Sequence, residues 1–386
     1  MSIAWHPGNA LTLLENGAEF FPALTTAIDD AHSEIFLETY IFANDETGRE
    51  ISLALQRAAR RGVTVRVLVD GFGGREFVDE MMDTLTAAGV HALIYRREVS
   101  TLSLRRRRLR RLHRKLAVVD GRVAFVGGIN IVSDFEDPKV TAPRQDYAVR
   151  LEGPLLAPIH ATVRRVWELV AWASFRRRLR LVGKPPACPL PCGDMDAALV
   201  IRDNIRHRHD IENAYLLGIA SARRDILLAN AYFLPGRRFR QALLDAARRG
   251  VHITLLIQGL ADHPIQQRAT RAFYGQLLDA GIRIVEYHRS YLHAKVAVID
   301  DHWATVGSSN IDPFSLLLAR EANLLVRHQG FATTLRGRLE QAIAAGGQEI
   351  HPARWQRGSA FQRLINWTAY GLVRLMIGIA GYGNRH

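Results

Sequence analysis

Two stretches of this chain share one pattern of residues: "LHRKLAVVDGRVAFVGGIN", from Leu112 to Asn130, and "LHAKVAVIDDHWATVGSSN", from Leu292 to Asn310. In each stretch a His, a Lys, an Asp, a Gly and an Asn stand at the same spacing. Buried strands often share apolar residues, but they do not share five polar or special residues by chance. The pattern therefore indicates an internal duplication.

The duplication extends well beyond these two stretches. "ALQRAARRGVTVRVLVDG" (Ala54–Gly71) returns as "ALLDAARRGVHITLLIQG" (Ala242–Gly259), and "AGVHALIYRRE" (Ala88–Glu98) returns as "AGIRIVEYHRS" (Ala280–Ser290). The first pair has the pattern of an amphipathic helix, a glycine stop and a β-branched strand. Alternating helices and strands predict an α/β fold, in which two pseudo-symmetric α-β-α sandwich domains contain mostly parallel sheets.

The repeat and its interruptions predict four segments. Residues 1–175 form a first domain, residues 176–195 a linker rich in Pro and Gly, and residues 196–350 a second domain. The repeat has ended by residues 351–386, which form a separate C-terminal segment.

The composition indicates a polyanionic partner. The 386 residues carry a formal net charge of +13, which suits nucleic acid, an anionic membrane or phosphate-bearing substrates. Two basic clusters stand out, Arg105–Arg111 and Phe175–Arg180. The two cysteines, Cys188 and Cys192, lack neighbouring ligands at zinc spacing, so we expect no metal site.

The His-x-Lys pairs carry the predicted chemistry. Alternation along a strand puts His113 and Lys115 on one face, and likewise His293 and Lys295. Two such faces suit a phosphodiester, because the lysines neutralise the phosphate while one imidazole attacks phosphorus and the other, protonated, releases the leaving group. We expect neither a metal nor a cofactor.

Other residues of the repeated pattern support this site. The amides of Asn130 and Asn310, with the hydroxyls of Ser308 and Ser309, are candidate donors to phosphate oxygens. Asp120 and Asp300 belong to the same pattern as the catalytic residues, but they end apolar strands. We interpret them as structural, closing a turn or pairing with a basic residue.

The pattern H-x-K-x4-D-x6-G-[GS]-x-N, present twice, resembles the HKD motif of the phospholipase D superfamily. The chain is most similar to the bacterial cardiolipin synthases of the B type over roughly residues 5 to 350. Further stretches that carry the likeness include "IFLETYIF", "RQDYAVRLEGP", "RDILLANAYFLPG" and "REANLLVR".

The resemblance implies one active site at the interface of the two domains and a phosphohistidine intermediate. By that likeness His113 is the nucleophile and His293 the general acid and later the base, although the residues alone do not rank the two. The resemblance also implies that an acidic residue downstream of each His orients it. The matching positions are Asp146 and Glu321.

The C-terminal segment favours lipid over nucleic acid. "FQRLINWTAYGLVRLMIGIAGYG" (Phe361–Gly383) is apolar and aromatic but is interrupted by Arg363 and Arg374, which argues against a membrane span. An amphipathic helix at the membrane interface suits it better. A helix that packs on the second domain is the alternative.

The resulting expectation is a peripheral membrane phosphatidyltransferase on the cytoplasmic side. It would make cardiolipin from two phosphatidylglycerol molecules and release glycerol, with no nucleic-acid partner. The alternatives are a phospholipase D that produces phosphatidic acid, a phosphodiesterase nuclease, and a lipid-binding scaffold without catalysis.

Overall fold

The computed structural model describes residues 3–96, 110–135, 140–176, 179, 181, 189–260, 264–313, 315, 318–356 and 359–379. Within these ranges the strands are β1 (His6–Glu15), β2 (Glu34–Thr39), β3 (Thr64–Asp70), β4 (His91–Tyr95), β5 (Lys115–Val119), β6 (Val123–Gly127), β7 (Tyr147–Glu152), β8 (Met195–Arg202), β9 (Asp225–Asn230), β10 (His252–Gln258), β11 (Arg283–Tyr287), β12 (Lys295–Ile299), β13 (Trp303–Gly307), β14 (Glu321–Arg327) and β15 (Gly347–Glu349).

The helices lie between and outside these strands. They are α1 (Asn16–Asp29), α2 (Glu46–Arg60), α3 (Met82–Ala87, entered through a π-helical turn at Phe77–Met81), α4 (Leu156–Ala173), α5 (Asp210–Ser221), α6 (Arg237–Arg248), α7 (Pro264–Arg271), α8 (Tyr274–Asp279), α9 (Gln329–Gly346), α10 (Pro352–Gln356) and α11 (Ala360–Ile379).

Hydrogen bonds join the described strands into one sheet in the order β15-β11-β10-β9-β12-β13-β14-β8-β1-β7-β6-β5-β2-β3-β4. The order of the second half, from β11 to β8, is repeated from β4 to β1, as a duplication requires. The α/β class is confirmed, but the prediction of mostly parallel sheets is wrong. Four of the described pairings are parallel and ten are antiparallel.

Tight hairpins account for this difference. In each repeat the second, third and fourth strands, β2–β4 and β9–β11, are connected through helices, which return the chain for parallel pairing. The His-motif strand then turns straight back on itself, β5 to β6 and β12 to β13. Positive φ angles at Asp120 (52°) and Gly121 (61°), and at Asp300 (51°) and Asp301 (56°), make these the tight turns that hairpins favour.

The two halves share a core and are not independently packed sandwiches. One apolar cluster includes side chains from both halves, among them Trp167 of α4 and Leu335 of α9. Two further clusters lie on the other side of the sheet, one in each half. Strands β1 and β8 also pair across the halves, with His6 opposite Ala197. The shared core fixes the relative placement of the two His motifs.

Helix α11 packs along one face and is exposed along the other. Val373 is 2% exposed, and the rings of Trp367 and Tyr370 lie 5.8 and 4.8 Å from that of Phe273. The alternative of a packing helix therefore holds for this face. Phe361, Leu364, Leu372, Leu375 and Met376 remain exposed. No helix within the described ranges is both long enough and apolar enough to cross a membrane.

Candidate active site

The two His motifs meet through backbone hydrogen bonds that cross between the halves. The N–H groups of His113 and Arg114 both donate to the carbonyl of Arg320, at 3.0 and 2.9 Å. In the related contact the N–H of His293 donates to the carbonyl of Gln145, at 2.8 Å. Arg320 and Gln145 each directly precede one of the two acidic residues, so each His motif is joined to the acidic segment of the other half.

The acids are consequently exchanged between the halves. His113 Nδ1 lies 2.9 Å from Glu321 Oε1, and His293 Nδ1 lies 2.6 Å from Asp146 Oδ2. The sequence reasoning placed each acid with the His upstream in its own half, and the structure corrects that pairing. A carboxylate at Nδ1 makes that nitrogen the donor and leaves Nε2 with its lone pair for chemistry.

The two lysines lie beneath the histidines. Lys115 Nζ donates to the carbonyl of His113 at 2.6 Å, and Lys295 Nζ donates to that of His293. Lys115 and Lys295 are 6% and 0% exposed. Burial lowers the pKa of Lys115 to about 7, while the Glu321 carboxylate counteracts this shift. Tyr40 covers the first pair, with its ring 4.9 Å from the His113 ring and 5.5 Å from Lys115 Nζ.

Burial favours the neutral form of both imidazoles in the unliganded site. Burial lowers the pKa of His113 below its ordinary value, although Glu321 opposes the shift. Burial, followed by the charge of Lys295, lowers the pKa of His293 well below the ordinary value. The lowered pKa values thus favour neutral rings before substrate binds, whereas the predicted chemistry needs one ring protonated. A bound phosphodiester anion favours the charged form of a neighbouring imidazole and so raises its pKa.

Ser308 binds an acid and does not point toward a phosphate position. Its hydroxyl donates to Glu321 Oε2 at 2.5 Å and accepts from the N–H of Ala322 at 3.1 Å. The Ser309 hydroxyl donates to the carbonyl of Asn310 at 3.3 Å. Both hydroxyls, which were predicted to donate to substrate, thus already form hydrogen bonds within the protein. Ser308 positions the Glu321 carboxylate, which in turn binds His113.

Gly128, which corresponds to Ser308, is required by the other acid. A Cβ at Gly128 would lie 2.3 Å from Asp146 Oδ1, closer than atoms can approach. The first motif therefore has Gly-Gly where the second has Gly-Ser, because Asp146 occupies the space that a side chain would need. In the second half the longer Glu321 reaches its His while the serine hydroxyl bonds to it.

The two motif asparagines are both buried but differ in their contacts. Both Asn130 and Asn310 are 4% exposed. Asn130 Oδ1 accepts from the N–H of Ile41 at 3.2 Å. Asn310 Oδ1 is buried and has no hydrogen-bond partner among the described residues. The second motif thus retains unsatisfied hydrogen-bonding capacity.

Asp120 and Asp300 lie outside the site. Asp120 accepts from the N–H groups of His32 and Ser33, both at 2.8 Å, and Asp300 makes the matching contacts at the start of β9. For each carboxyl, burial raises the pKa, but these backbone donors outweigh it and the net pKa is lowered. Asp120 is about 16 Å along the strand from Lys115. Inclusion of the two aspartates among the catalytic residues is therefore corrected, and the interpretation as turn-closing residues fits.

Several residues that shape the site were missed from sequence. Asp70 Oδ2 accepts from the N–H of Leu112 at 2.8 Å, and Gln258 Oε1 accepts from that of Leu292 at 3.0 Å. They occupy matching places in "VLVDG" and "LLIQG", so the repeat contained a usable signal. Tyr40 had no such signal, because nothing in its neighbourhood predicts contact with His113.

Some predicted features lie largely outside the described residues. Only Arg110 and Arg111 of the first basic cluster are described, and Cys188 is not. Cys192 is exposed and is a free cysteine. Across the described ranges no group of three or more His, Cys, Asp or Glu side chains could hold a metal ion.

Two His–carboxylate pairs, each with a buried lysine, meet between the two similar halves. This arrangement matches the site expected for the phospholipase D superfamily. The family model described as "Cardiolipin synthase, PLD-like domain" matches residues 24–135 and 215–343. The chain belongs to this family, as its resemblance predicted.

Full-length relatives agree with this assignment. Cardiolipin synthase B of Escherichia coli K12 is 44% identical over 91% of this chain and 84% of its own length. Cardiolipin synthase B of Salmonella typhi is 39% identical over 100% of this chain and 93% of its own. The crystal structure of phosphatidylserine synthase from Haemophilus influenzae Rd KW20 matches with a TM-score of 0.69 at 14% identity, covering 96% of this chain and 94% of that one.

Proposed function

We propose that this chain is a cardiolipin synthase that transfers the phosphatidyl group of one phosphatidylglycerol to a second one through a phosphohistidine. The observation that supports the proposal is the exchanged pairing of His113 with Glu321 and His293 with Asp146, because a carboxylate at Nδ1 of each ring leaves each Nε2 for chemistry. The names of the relatives supply the lipid substrate class.

In the first step His113 Nε2 attacks phosphorus of the donor lipid. The P–O bond to the head-group glycerol breaks, and the glycerol oxygen takes a proton from His293 Nε2. His293 acquires that proton when the phosphate anion binds beside it. Glu321 stabilises the positive charge that develops on the His113 ring, as carboxylates do in comparable His pairs.

In the second step a hydroxyl of the acceptor lipid replaces His113. His293 Nε2, neutral after the first step, takes the hydroxyl proton, the acceptor oxygen attacks phosphorus, and the bond from phosphorus to His113 Nε2 breaks. Lys115 and Lys295 hold the phosphate oxygens in both steps and offset the charge of each transition state. Release of cardiolipin restores the starting protonation of both rings.

The enzyme acts at a membrane surface from one side. The exposed face of α11, formed by Phe361, Leu364, Leu372, Leu375 and Met376, is suited to the boundary between head groups and acyl chains. Arg363 and Arg374 are exposed on the same helix and suit anionic head groups. Sedimentation with phosphatidylglycerol vesicles, compared with phosphatidylcholine vesicles, tests this attachment.

Product analysis tests the proposed reaction. The purified protein is incubated in EDTA with phosphatidylglycerol labelled in its head group, and lipids and water-soluble products are separated. Cardiolipin together with one equivalent of free glycerol is the expected result. Phosphatidic acid in place of cardiolipin would identify a phospholipase D. Absence of any lipid product, with cleavage of DNA by the same preparation, would favour the phosphodiesterase nuclease.

A further inference from the structure

Four exposed apolar side chains stand where the chain leaves strands of the sheet. Phe72 follows β3, Phe135 follows β6, Ile205 follows β8, and Ile265 is in the first turn of α7 after β10. Their exposed fractions are 45, 57, 73 and 50%. Single exposed apolar residues are ordinary on protein surfaces, so it is the shared position of these four, called the tip residues below, that is informative.

All four tip residues follow strands that end on the side of the sheet where the catalytic groups lie. Lys115, the first residue of β5, pairs with Gly127, the last residue of β6. Glu321 pairs with Arg202, the last residue of β8. The last residues of β3 and β10, Asp70 and Gln258, bind the N–H groups next to the two catalytic histidines. The tip residues therefore lie at the same end of the sheet as the active site.

Arginines accompany the tip residues. The guanidinium group of Arg75 is exposed and lies 4.8 Å from the centre of the Phe72 ring, whereas that of Arg111, at 4.9 Å, is mostly buried and pairs with Asp70. Arg206 and Arg208 are exposed in the same loop as Ile205. Of the acids near Phe72, Glu76 and Glu80 are hydrogen-bonded to Asn44. The surface at this end of the sheet thus combines apolar tips with positive charge.

Hydrogen bonds to the backbone hold the loop after β8 in a conformation that exposes Ile205. Asp203 Oδ1 accepts from the N–H groups of Ile205, Arg206 and His207, at 2.8, 2.8 and 3.0 Å. Arg208 Nε donates to the carbonyl of Asn204 at 3.0 Å. These bonds fix the loop with Ile205 exposed to solvent, where its side chain is available to a partner outside the protein.

We infer that the four tip residues and their arginines form a docking surface for an anionic bilayer, which presents phosphates directly to the histidines. The inference rests on the proposed function and specifies how that site meets its lipid. Aliphatic tips suit acyl chains, and guanidinium groups suit anionic head groups. Single-stranded nucleic acid would instead favour aromatic platforms for stacking, and two of the four tips are isoleucine. Helix α11 packs on α7, the helix that carries Ile265.

The test compares a variant of this surface with a matched control. The test variant carries Phe72→Ser and Ile205→Ser, one change in each half. The control carries Leu53→Ser in α2 and Leu217→Ser in α5, which are 53 and 51% exposed but face outward from helices. Each is assayed for cardiolipin formation from phosphatidylglycerol vesicles and from short-chain phosphatidylglycerol kept below its critical micelle concentration. Binding to the same vesicles is measured by sedimentation.

The expected result is at least a tenfold loss of vesicle binding and vesicle turnover in the test variant, with turnover of monomeric lipid within twofold of wild type and the control unaffected. Equal vesicle binding in all three proteins would overturn the inference, as would an equal loss on both substrate forms. If wild type made no cardiolipin from either substrate, the proposed function would fail. Vesicle sedimentation would then still decide whether this surface docks to lipid.

Discussion

At the scale of single residues, the active site is symmetric in its histidines and lysines and asymmetric in what holds its acids. Glu321 accepts a hydrogen bond from the Ser308 hydroxyl. Asp146 instead packs against Gly128, which has no side chain, and accepts a hydrogen bond from the N–H of Tyr147 at 2.8 Å. The two histidines therefore have different electrostatic environments. This asymmetry gives a physical basis for two different roles of one repeated residue.

Replacement of Ser308 by Ala tests its hold on Glu321. Loss of a hydrogen bond to a charged group costs about 1.5–3 kcal/mol, so we expect kcat to fall about ten- to a hundredfold with KM nearly unchanged. Ser309→Ala is the matched control, because its hydroxyl bonds only to a nearby carbonyl. A Ser308→Ala enzyme with wild-type kcat and an unchanged melting temperature would contradict the assigned role.

The pH dependence of phosphate binding tests the state of Lys115. Because its pKa is lowered to about 7, the ammonium is present below that pH and lost above it. Arg stays charged throughout, so the ratio of kcat/KM for wild type to that for Lys115→Arg should fall at least about tenfold between pH 6.5 and 8.5. A constant ratio across this range would show that Lys115 keeps its charge.

The sequence was sufficient to predict which side chains share the site but not how they pair. Identical spacing in the two repeats placed His113, Lys115, His293 and Lys295 together, because equivalent residues meet about a pseudo-twofold axis. The exchange of acids depends on backbone contacts at Arg320 and Gln145, which no local pattern encodes. The inward direction of the Ser308 hydroxyl likewise depends on a residue thirteen positions away.

At the scale of strands and helices, the main error of sequence reasoning concerned strand direction. Helix–glycine–strand patterns correctly indicated the parallel strands β2, β3 and β4. The apolar run through β5 and β6 has the same composition as a buried parallel strand. Its reversal rests on the turn residues Asp120 and Gly121, an Asp-Gly signal that was interpreted as a strand end without the hairpin that follows.

The ends of β3 and β10 differ in one residue with a consequence for stability. Asp70 is fully buried, and burial raises its pKa to about 6, against the opposing N–H group of Leu112. The folded protein therefore holds this proton more tightly than the unfolded chain, so the carboxyl contributes less to stability as pH rises toward and through 6. Gln258 holds the equivalent place without any charge.

Asp70→Asn tests this effect. From pH 5 to pH 8 the unfolding free energy of the variant should improve relative to wild type by about 1 kcal/mol, because only wild type acquires a buried charge. The measurement is urea unfolding of both proteins at the two pH values, in which other titrating groups cancel. A difference that stays constant, or moves in favour of wild type at pH 8, would contradict the raised pKa.

At the scale of the whole molecule, the two halves behave as one folding and catalytic unit. They share an apolar core, the β1–β8 pairing and the crossing bonds at His113 and His293. Each histidine depends on an acid from the other half, so neither half contains a complete site. The covalent link between them serves connectivity more than stability.

Cleavage of the link tests this unity. A protease site inserted after Leu190, which is 82% exposed, allows the chain to be cut just ahead of Cys192, whose N–H donates to the carbonyl of Gly8. We expect the two fragments to co-elute on gel filtration and to keep at least about half of the uncut activity, because the shared core holds them together. The uncut insertion variant is the control. Fragments that separate and lose activity on cutting would show that the halves are independently packed.

The most direct test of the account asks which histidine carries the phosphatidyl group. A p-nitrophenyl ester of phosphatidic acid has a leaving group that needs no protonation, so a His293→Asn enzyme can complete the first step and then stall. In EDTA this variant should release one p-nitrophenol per enzyme and retain the phosphatidyl group on the His113 peptide, as seen by mass spectrometry. His113→Asn should release none. A burst from His113→Asn with His293 modified, or no covalent adduct in either variant, would contradict the account.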